Sequence, residues 1–219
     1  VGGTAGDATP TTLAANAEFA KKLNLGDPQD FENAQRGFIA KPTGKITMAD
    51  GTVLKDFDAY NFLDGKAADT VNPSLWRHAQ LNANIGLFKV TEGVYQLRGF
   101  DIANMTIIEG KTGWILVDPL TAPETSSAAL AFARQHLGDK PVSAVVLTHA
   151  HSDHLGGVLG VLTPTEVAQR KIPIVAPEGF MEEATSENIM VGTAMARRSL
   201  YQFGRDLPRN AKGNVDTGL

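Results

Sequence analysis

The chain has 219 residues, 42% hydrophobic and 20% charged, with 22 glycines and 11 prolines, enough apolar material for one good-sized domain with a packed core. Twenty basic against 24 acidic residues give a net charge of −4; no basic face is advertised, and nucleic acid is excluded as the expected partner. The absence of cysteine excludes disulfides and thiolate metal sites, and no apolar run approaches the roughly 20 residues of a membrane span, so the chain reads as soluble.

The opening VGGTAGDATPTT reads as a loose processed end. A periplasmic or secreted protein would begin this way after loss of a signal peptide, and a cytoplasmic one is equally compatible with a cysteine-free chain. TTLAANAEFAKKLNLGD is a short helix ending near Gly26, and PQDFENAQRGF a second one started by Asp27 ahead of Pro28. KITMADGTVLKD alternates around Asp50-Gly51, a tight hairpin turn. NPSLWRHAQLNAN is helical, with Ser74 as its cap.

From residue 86 the pattern changes to strands. GLFKVTEGVYQLRG, NMTIIEG and GWILVDP are β-rich runs separated by glycine turns, and they predict an antiparallel meander. TAPETSSAALAFARQHLGD is a helix with a capping box of Thr121 and Glu124, Pro123 in its first turn and Gly138 at its end. PVSAVVLT is a continuous apolar strand of the kind buried on both faces. A short helix (HLGGVLGVL), another buried strand (IPIVAP) and a long helix from about Phe180 to Gly204 follow. Strands alternating with helices after a meander imply an α+β layered sheet with helices outside. The boundary falls between an extension, residues 1–85, packing on a catalytic part, residues 86–219. The last residues, AKGNVDTGL, read as a loop and no natural domain end, so a longer or companion chain is expected.

Behind the apolar strand stands VLTHAHSDHLGG, with three of the five histidines and an aspartate within six positions. A strand ending at Thr148 projects alternate side chains one way, so His149 and His151 can approach one metal ion. Asp153 and His154 lie past the bend and can address a second. Two ions about 3.5–4 Å apart would make a hydrolytic pair. Nitrogen and oxygen donors suit Zn2+, with Mn2+ or Fe as alternatives. Gly156 and Gly157 let the next helix approach the metal loop closely. Asp118, ending GWILVD, either holds a ligand histidine or the loop backbone, or caps the turn before Pro119. His78 and His136 read as structural or surface residues, and Arg197-Arg198 as a solvated helix face. Phe100 and Asp101, within RGFDIAN, form either a lip over the site or a plain surface loop. A dinuclear centre needs about three ligands per ion. Downstream, Glu166, Glu178, Glu182, Glu183, Glu187, Asp206 and Asp216 form no ligand motif.

THAHSDHLGG resembles the T-H-x-H-x-D-H-x-G-G signature of the metallo-β-lactamase superfamily. DFENAQRGFIA, NPSLWRHAQLNANIGLFKVTEGVYQLRGFDIANMTIIEGKTGWILVDPLT and SENIMVGTAMARRSLYQFG narrow this to the zinc-dependent alkylsulfatases, from about Asp30 onward. The resemblance implies an αββα sandwich of which this chain is the first half to two-thirds, and a homodimer of the full-length enzyme. It implies two Zn2+, His149 and His151 holding one and Asp153 and His154 the other, with a bridging hydroxide oriented by Asp153. Two glutamates, a further histidine and the sulfate-binding arginine and asparagine would lie beyond Leu219, supplied by the remaining polypeptide, and an isolated fragment would be inactive. The implied reaction is cleavage of the C–O bond of an alkyl sulfate. Other expected readings are a relative acting on a lactone, thioester or β-lactam, and a metal-binding scaffold without turnover.

Overall fold

The computed structural model describes residues 6–204 and 206–216. The first residues of the expected loose end, and the last three of the C-terminal loop, lie outside the described residues.

Helix α1 (Pro10–Ala20) starts at Thr9, whose hydroxyl accepts from Thr12 N at 3.2 Å, with Pro10 in the first turn. Helix α2 (Gln29–Gln35) begins where Asp27 accepts from Gln29 N at 2.9 Å, as the Asp-Pro pair predicts. Strand β1 (Phe38–Ala40) precedes a hairpin of β2 (Lys45–Thr47) and β3 (Val53–Asp56). Its turn is the expected Asp50-Gly51, with Gly51 at φ +87°. A 3-10 turn, Asn61–Asp64, leads to α3 (Pro73–Asn82). The cap of α3 is Asn72, whose side chain accepts from Ser74 N at 2.9 Å. Ser74 is thus the capped residue and not the cap, because Pro73 already occupies the first helical position.

β4 (Gly86–Thr91), β5 (Val94–Arg98), β6 (Met105–Glu109) and β7 (Trp114–Val117) form the antiparallel meander. Helix α4 (Pro123–Leu137) ends at Gly138, φ +89°, as expected. Its N-terminus differs from the Thr121–Glu124 box. Thr121 N and Oγ1 donate to Asp101 at 3.1 and 2.7 Å, and Thr125 Oγ1 donates to the same carboxylate at 2.6 Å. A carboxylate from a separate loop outcompetes a local glutamate because it meets three donors at once.

β8 (Val142–Val146) lies parallel to β7. The expected helix after it is two short ones, α5 (Ser152–Leu155) and α6 (Val158–Val161), separated at Gly156-Gly157. Helix α7 (Pro164–Arg170) follows, and then β9 (Ile174–Val175), parallel to β8. Both residues of β9 are exposed, at 44% and 53%, and not buried, because β9 is the edge of the described sheet. The long helix expected over 180–204 is three pieces: α8 (Phe180–Thr185), a π turn (Ser186–Met190) and α9 (Gly192–Phe203). Val191, at φ −111° and ψ 7°, leaves helical backbone and Gly192 restarts it.

The described residues form two compact units. One contains Arg36–Phe57 and Ile85–Met195 and carries a seven-stranded sheet in the order β1-β4-β5-β6-β7-β8-β9. Alternation buries Met105 and Ile107 of β6 and Trp114 and Leu116 of β7 in one core with Ala129, Leu130 and Ala133 of α4. The other unit gathers the described residues up to Gln35, Asp58–Asn84 and those from Ala196 on. Its core is Leu63, Val71, Trp76, Ala79 and Val215. The units interleave, unlike a single cut between residues 85 and 86, because β1 pairs with β4 and draws Arg36–Phe57 into the sheet. In the second unit Tyr60 donates to Asn214 Oδ1 at 2.8 Å and Asn82 to Asp216 Oδ2 at 3.0 Å. No helix among the described residues is long and apolar enough to cross a membrane.

Candidate metal centre

β8 ends at Val146, and the backbone turns through Leu147–Ala150 into α5 at the C-terminal edge of the sheet. In this turn the rings of His149 and His151 stand 4.6 Å apart between centroids, and those of His149 and His154 4.1 Å. His154 Nε2 lies 3.2 Å from Asp153 Oδ2. The four residues singled out in the sequence are thus together, on one strand-to-helix turn.

Asp118 organises the turn. Thr148 N and Oγ1 donate to its Oδ1 and Oδ2 at 2.8 and 2.7 Å, and His154 Nδ1 lies 2.9 Å from Oδ2. Its backbone is left-handed, φ +55°, as is that of Leu120, φ +66°. A left-handed conformation costs a non-glycine residue roughly 1–2 kcal/mol. It persists here because Leu120 is fully buried in the core and its carbonyl accepts from Gly157 N at 2.8 Å. The strained segment thereby delivers Asp118 to the histidines. Of the two sequence readings of Asp118, the structure places it on both a histidine and the loop backbone.

These bonds determine which ring nitrogens remain open. A carboxylate only accepts, so His154 donates from Nδ1 and keeps a lone pair on Nε2. Thr148 Oγ1 has one proton, already directed at Asp118. It therefore accepts from His149 Nδ1, 2.9 Å away, which leaves a lone pair on His149 Nε2 as well. In the neutral ring His154 Nε2 then faces Asp153 Oδ2, 3.2 Å away, as acceptor against acceptor, an arrangement that a bound cation would relieve. Two donors about 2.1 Å from one ion at a tetrahedral angle stand roughly 3.4 Å apart, close to this spacing. The donor set fits a borderline metal such as zinc. Among the described residues no three histidine or carboxylate groups converge on one point; the turn gathers donors but closes no cage.

Gly156 and Gly157 allow the close approach expected of them, but to the Pro119–Thr121 backbone after β7 and not to the metal loop. A Cβ on Gly157 would lie 2.0 Å from the Pro119 carbonyl oxygen, and one on Gly156 2.1 Å from that of Thr121. Gly157→Ala is accordingly expected to destabilise the protein by about 1–3 kcal/mol, measured by denaturant unfolding, since backbone atoms must move.

The remaining candidates lie elsewhere. Phe100 is 2% exposed, packed edge-on at 5.3 Å to Phe57 and 5.5 Å from Phe132, so its ring belongs to the core and not to a lip. Asp101 serves the start of α4. His136 packs on Phe132 at 4.5 Å, and His78 Nε2 lies 3.3 Å from Asn82 Nδ2. Glu166 caps α7, and the Thr163 N–H and hydroxyl beside it hold its carboxyl below the usual range. Of the seven downstream carboxylates, Glu187 reaches the cluster, its Oε2 3.3 Å from His151 Nε2. Local sequence carries no sign of this, because the contact depends on the π turn.

An (R)-specific secondary-alkylsulfatase of Pseudomonas sp is 53% identical over 97% of the chain and 32% of its own length. An alkyl/aryl-sulfatase of Saccharomyces cerevisiae is 50% identical over 96% of the chain and 33% of its length. The solved structure of a stereoselective inverting sec-alkylsulfatase from Pseudomonas sp. superposes with a TM-score of 0.94 at 52% identity, over 98% of this chain and 34% of that one. The chain therefore spans about a third of the length of the relatives it matches. A family model described as the metallo-beta-lactamase superfamily matches residues 98–218, from the end of β5 through the histidine turn and beyond. With the expected mixed α/β sheet and the nitrogen-oxygen donor cluster at its edge, that match places the chain in the metallo-beta-lactamase superfamily, whose members imply bound metal ions.

Proposed function

We propose that the polypeptide carrying this chain hydrolyses alkyl sulfate esters to an alcohol and inorganic sulfate, at a pair of zinc ions. The observation that carries this reading is identity of about half to relatives named as alkylsulfatases, running through the donor turn. His149 and His151 would hold one ion, and Asp153 and His154 the other. Bound there, the metal supplies Lewis acidity, which makes water a nucleophile near neutral pH.

The chain's own residues prepare the site. Asp118 and Thr148 keep the protons of His154 and His149 on Nδ1, so that Nε2 is the nitrogen presented. Asp153 orients the attacking water in addition to its place as ligand. The further metal ligands, the sulfate contacts and a homodimer interface are assigned to parts of the polypeptide outside this chain. Attack at carbon, with sulfate leaving, is the favoured course. One relative is described as inverting, and inversion at carbon requires a bond to carbon to break.

The test uses the full polypeptide. Dodecyl sulfate is expected to be turned over far faster than a lactone or a thioester. A chelator should abolish the activity and zinc restore it. In heavy-oxygen water the label should enter the alcohol, and label in the sulfate alone would contradict carbon attack. Faster turnover of the lactone or thioester would overturn the sulfatase reading.

A further inference from the structure

Asp118 reaches His154 from a segment whose backbone is left-handed at Asp118 and again at Leu120, and such a backbone persists only where its surroundings hold it. Burial of Leu120 holds the middle of that segment. Its far end is held by Asp101, on the loop between β5 and β6. Thr121 N donates to Asp101 Oδ2 at 3.1 Å, and Thr121 Oγ1 to Oδ1 at 2.7 Å. The carboxylate is itself fixed, because Ile102 N donates to Oδ1 at 2.7 Å and the preceding Phe100 is rooted in the core. Thr121 is also the backbone against which α5 is seated, since its carbonyl oxygen lies 2.1 Å from where a Cβ on Gly156 would stand. Asp153 and His154 lie on α5. One residue thus touches Asp101 on one side and, on the other, the helix that carries two of the candidate donors.

We infer that Asp101 is a positioning residue for the metal centre: by clamping Thr121 it fixes the segment that holds His154 through Asp118 and seats α5 by direct contact. The inference rests on the metal reading proposed above and extends it to a loop outside the H-x-H-x-D-H motif. The bonds of Asp101 do more than start a helix. The start of α4 is served by Thr125 Oγ1, which donates to Oδ2 at 2.6 Å. The two bonds from Thr121 fall before that helix begins, at the end of the strained segment. Both use an ionised acceptor, and bonds of this kind are roughly twice as strong as neutral ones. Without them Thr121 would follow the left-handed residues before it as they relaxed, and both Asp118 and α5 would shift. A metal site registers such a shift, because its donors must be held to within about 0.5 Å.

The experiment uses the full polypeptide loaded with zinc, in the wild type and in Asp101→Ala, Asp101→Asn and Thr125→Val variants. Zinc affinity is measured by competition with a chromophoric chelator. The cobalt-substituted proteins are compared by visible spectrum, and unfolding midpoints are recorded alongside. Asp101→Ala should lower the midpoint, weaken one zinc by about 10-fold and alter the cobalt spectrum. Thr125→Val removes the bond to α4 and leaves those to Thr121. It should lower the midpoint too, with zinc affinity and cobalt spectrum as in the wild type. Asp101→Asn is the milder variant, read alone if the alanine form does not fold. It keeps one oxygen for Thr121 Oγ1 but sets an amide donor against Thr121 N–H, and should change affinity and spectrum in the same direction by less. Wild-type affinity and spectrum in the folded Asp101 variants would confine Asp101 to α4 and overturn the assignment. Equal zinc losses in Asp101→Ala and Thr125→Val would overturn it as well, since affinity would then follow stability alone. Wild-type protein that takes up no zinc would instead sink the metal reading itself, and the assignment with it.

Discussion

His154→Ala, made in the full polypeptide, is expected to lose one bound zinc per chain and nearly all turnover of dodecyl sulfate. The ring sits between two carboxylates, Asp118 Oδ2 at 2.9 Å from Nδ1 and Asp153 Oδ2 at 3.2 Å from Nε2. Its removal takes away a nitrogen donor and also the group that separates the two negative charges. Activity should fall on the order of 10³-fold or more, the scale found when one member of a cooperating catalytic set is deleted. Metal analysis counts the ions, and circular dichroism checks the fold. Folding should survive, because the ring is not part of the apolar core beneath the turn. Full activity with two zincs retained would remove His154 from the site.

Asp118→Asn is the more discriminating substitution. It retains the shape of the side chain, and asparagine tolerates the left-handed backbone found here at φ +55°. The amide oxygen can still accept from Thr148 N. The amide nitrogen, however, donates, and it would face His154 Nδ1. That nitrogen must then accept, which moves the ring proton to Nε2, the position the metal needs. The expected outcome is a 10- to 100-fold loss of zinc affinity with little change in unfolding midpoint. Asp118→Ala should lose both affinity and stability, because Thr148 N–H is left without its partner, a cost of about 1–3 kcal/mol. Equal zinc affinity in Asp118→Asn and wild type, read by the same chelator competition, would reject the tautomer argument.

What the sequence alone determined was set by short-range rules. The meander and its hairpins follow from period-2 apolar alternation and glycine turns. The donor cluster follows from the spacing of His149, His151, Asp153 and His154 on a strand that runs out into a helix, and the superfamily match confirms the fold those motifs resemble. The tertiary structure decided the rest. Asp101 organises the start of α4, Phe100 entered the core, and the helix expected over 180–204 broke into pieces, with a π turn that places Glu187 3.3 Å from His151. Which nitrogen His154 turns to a protein oxygen was likewise decided by Asp118, 36 positions away. The reason is physical: spacing governs which side chains share a face over a few residues, whereas a hydrogen bond between distant segments depends on how the elements between them pack.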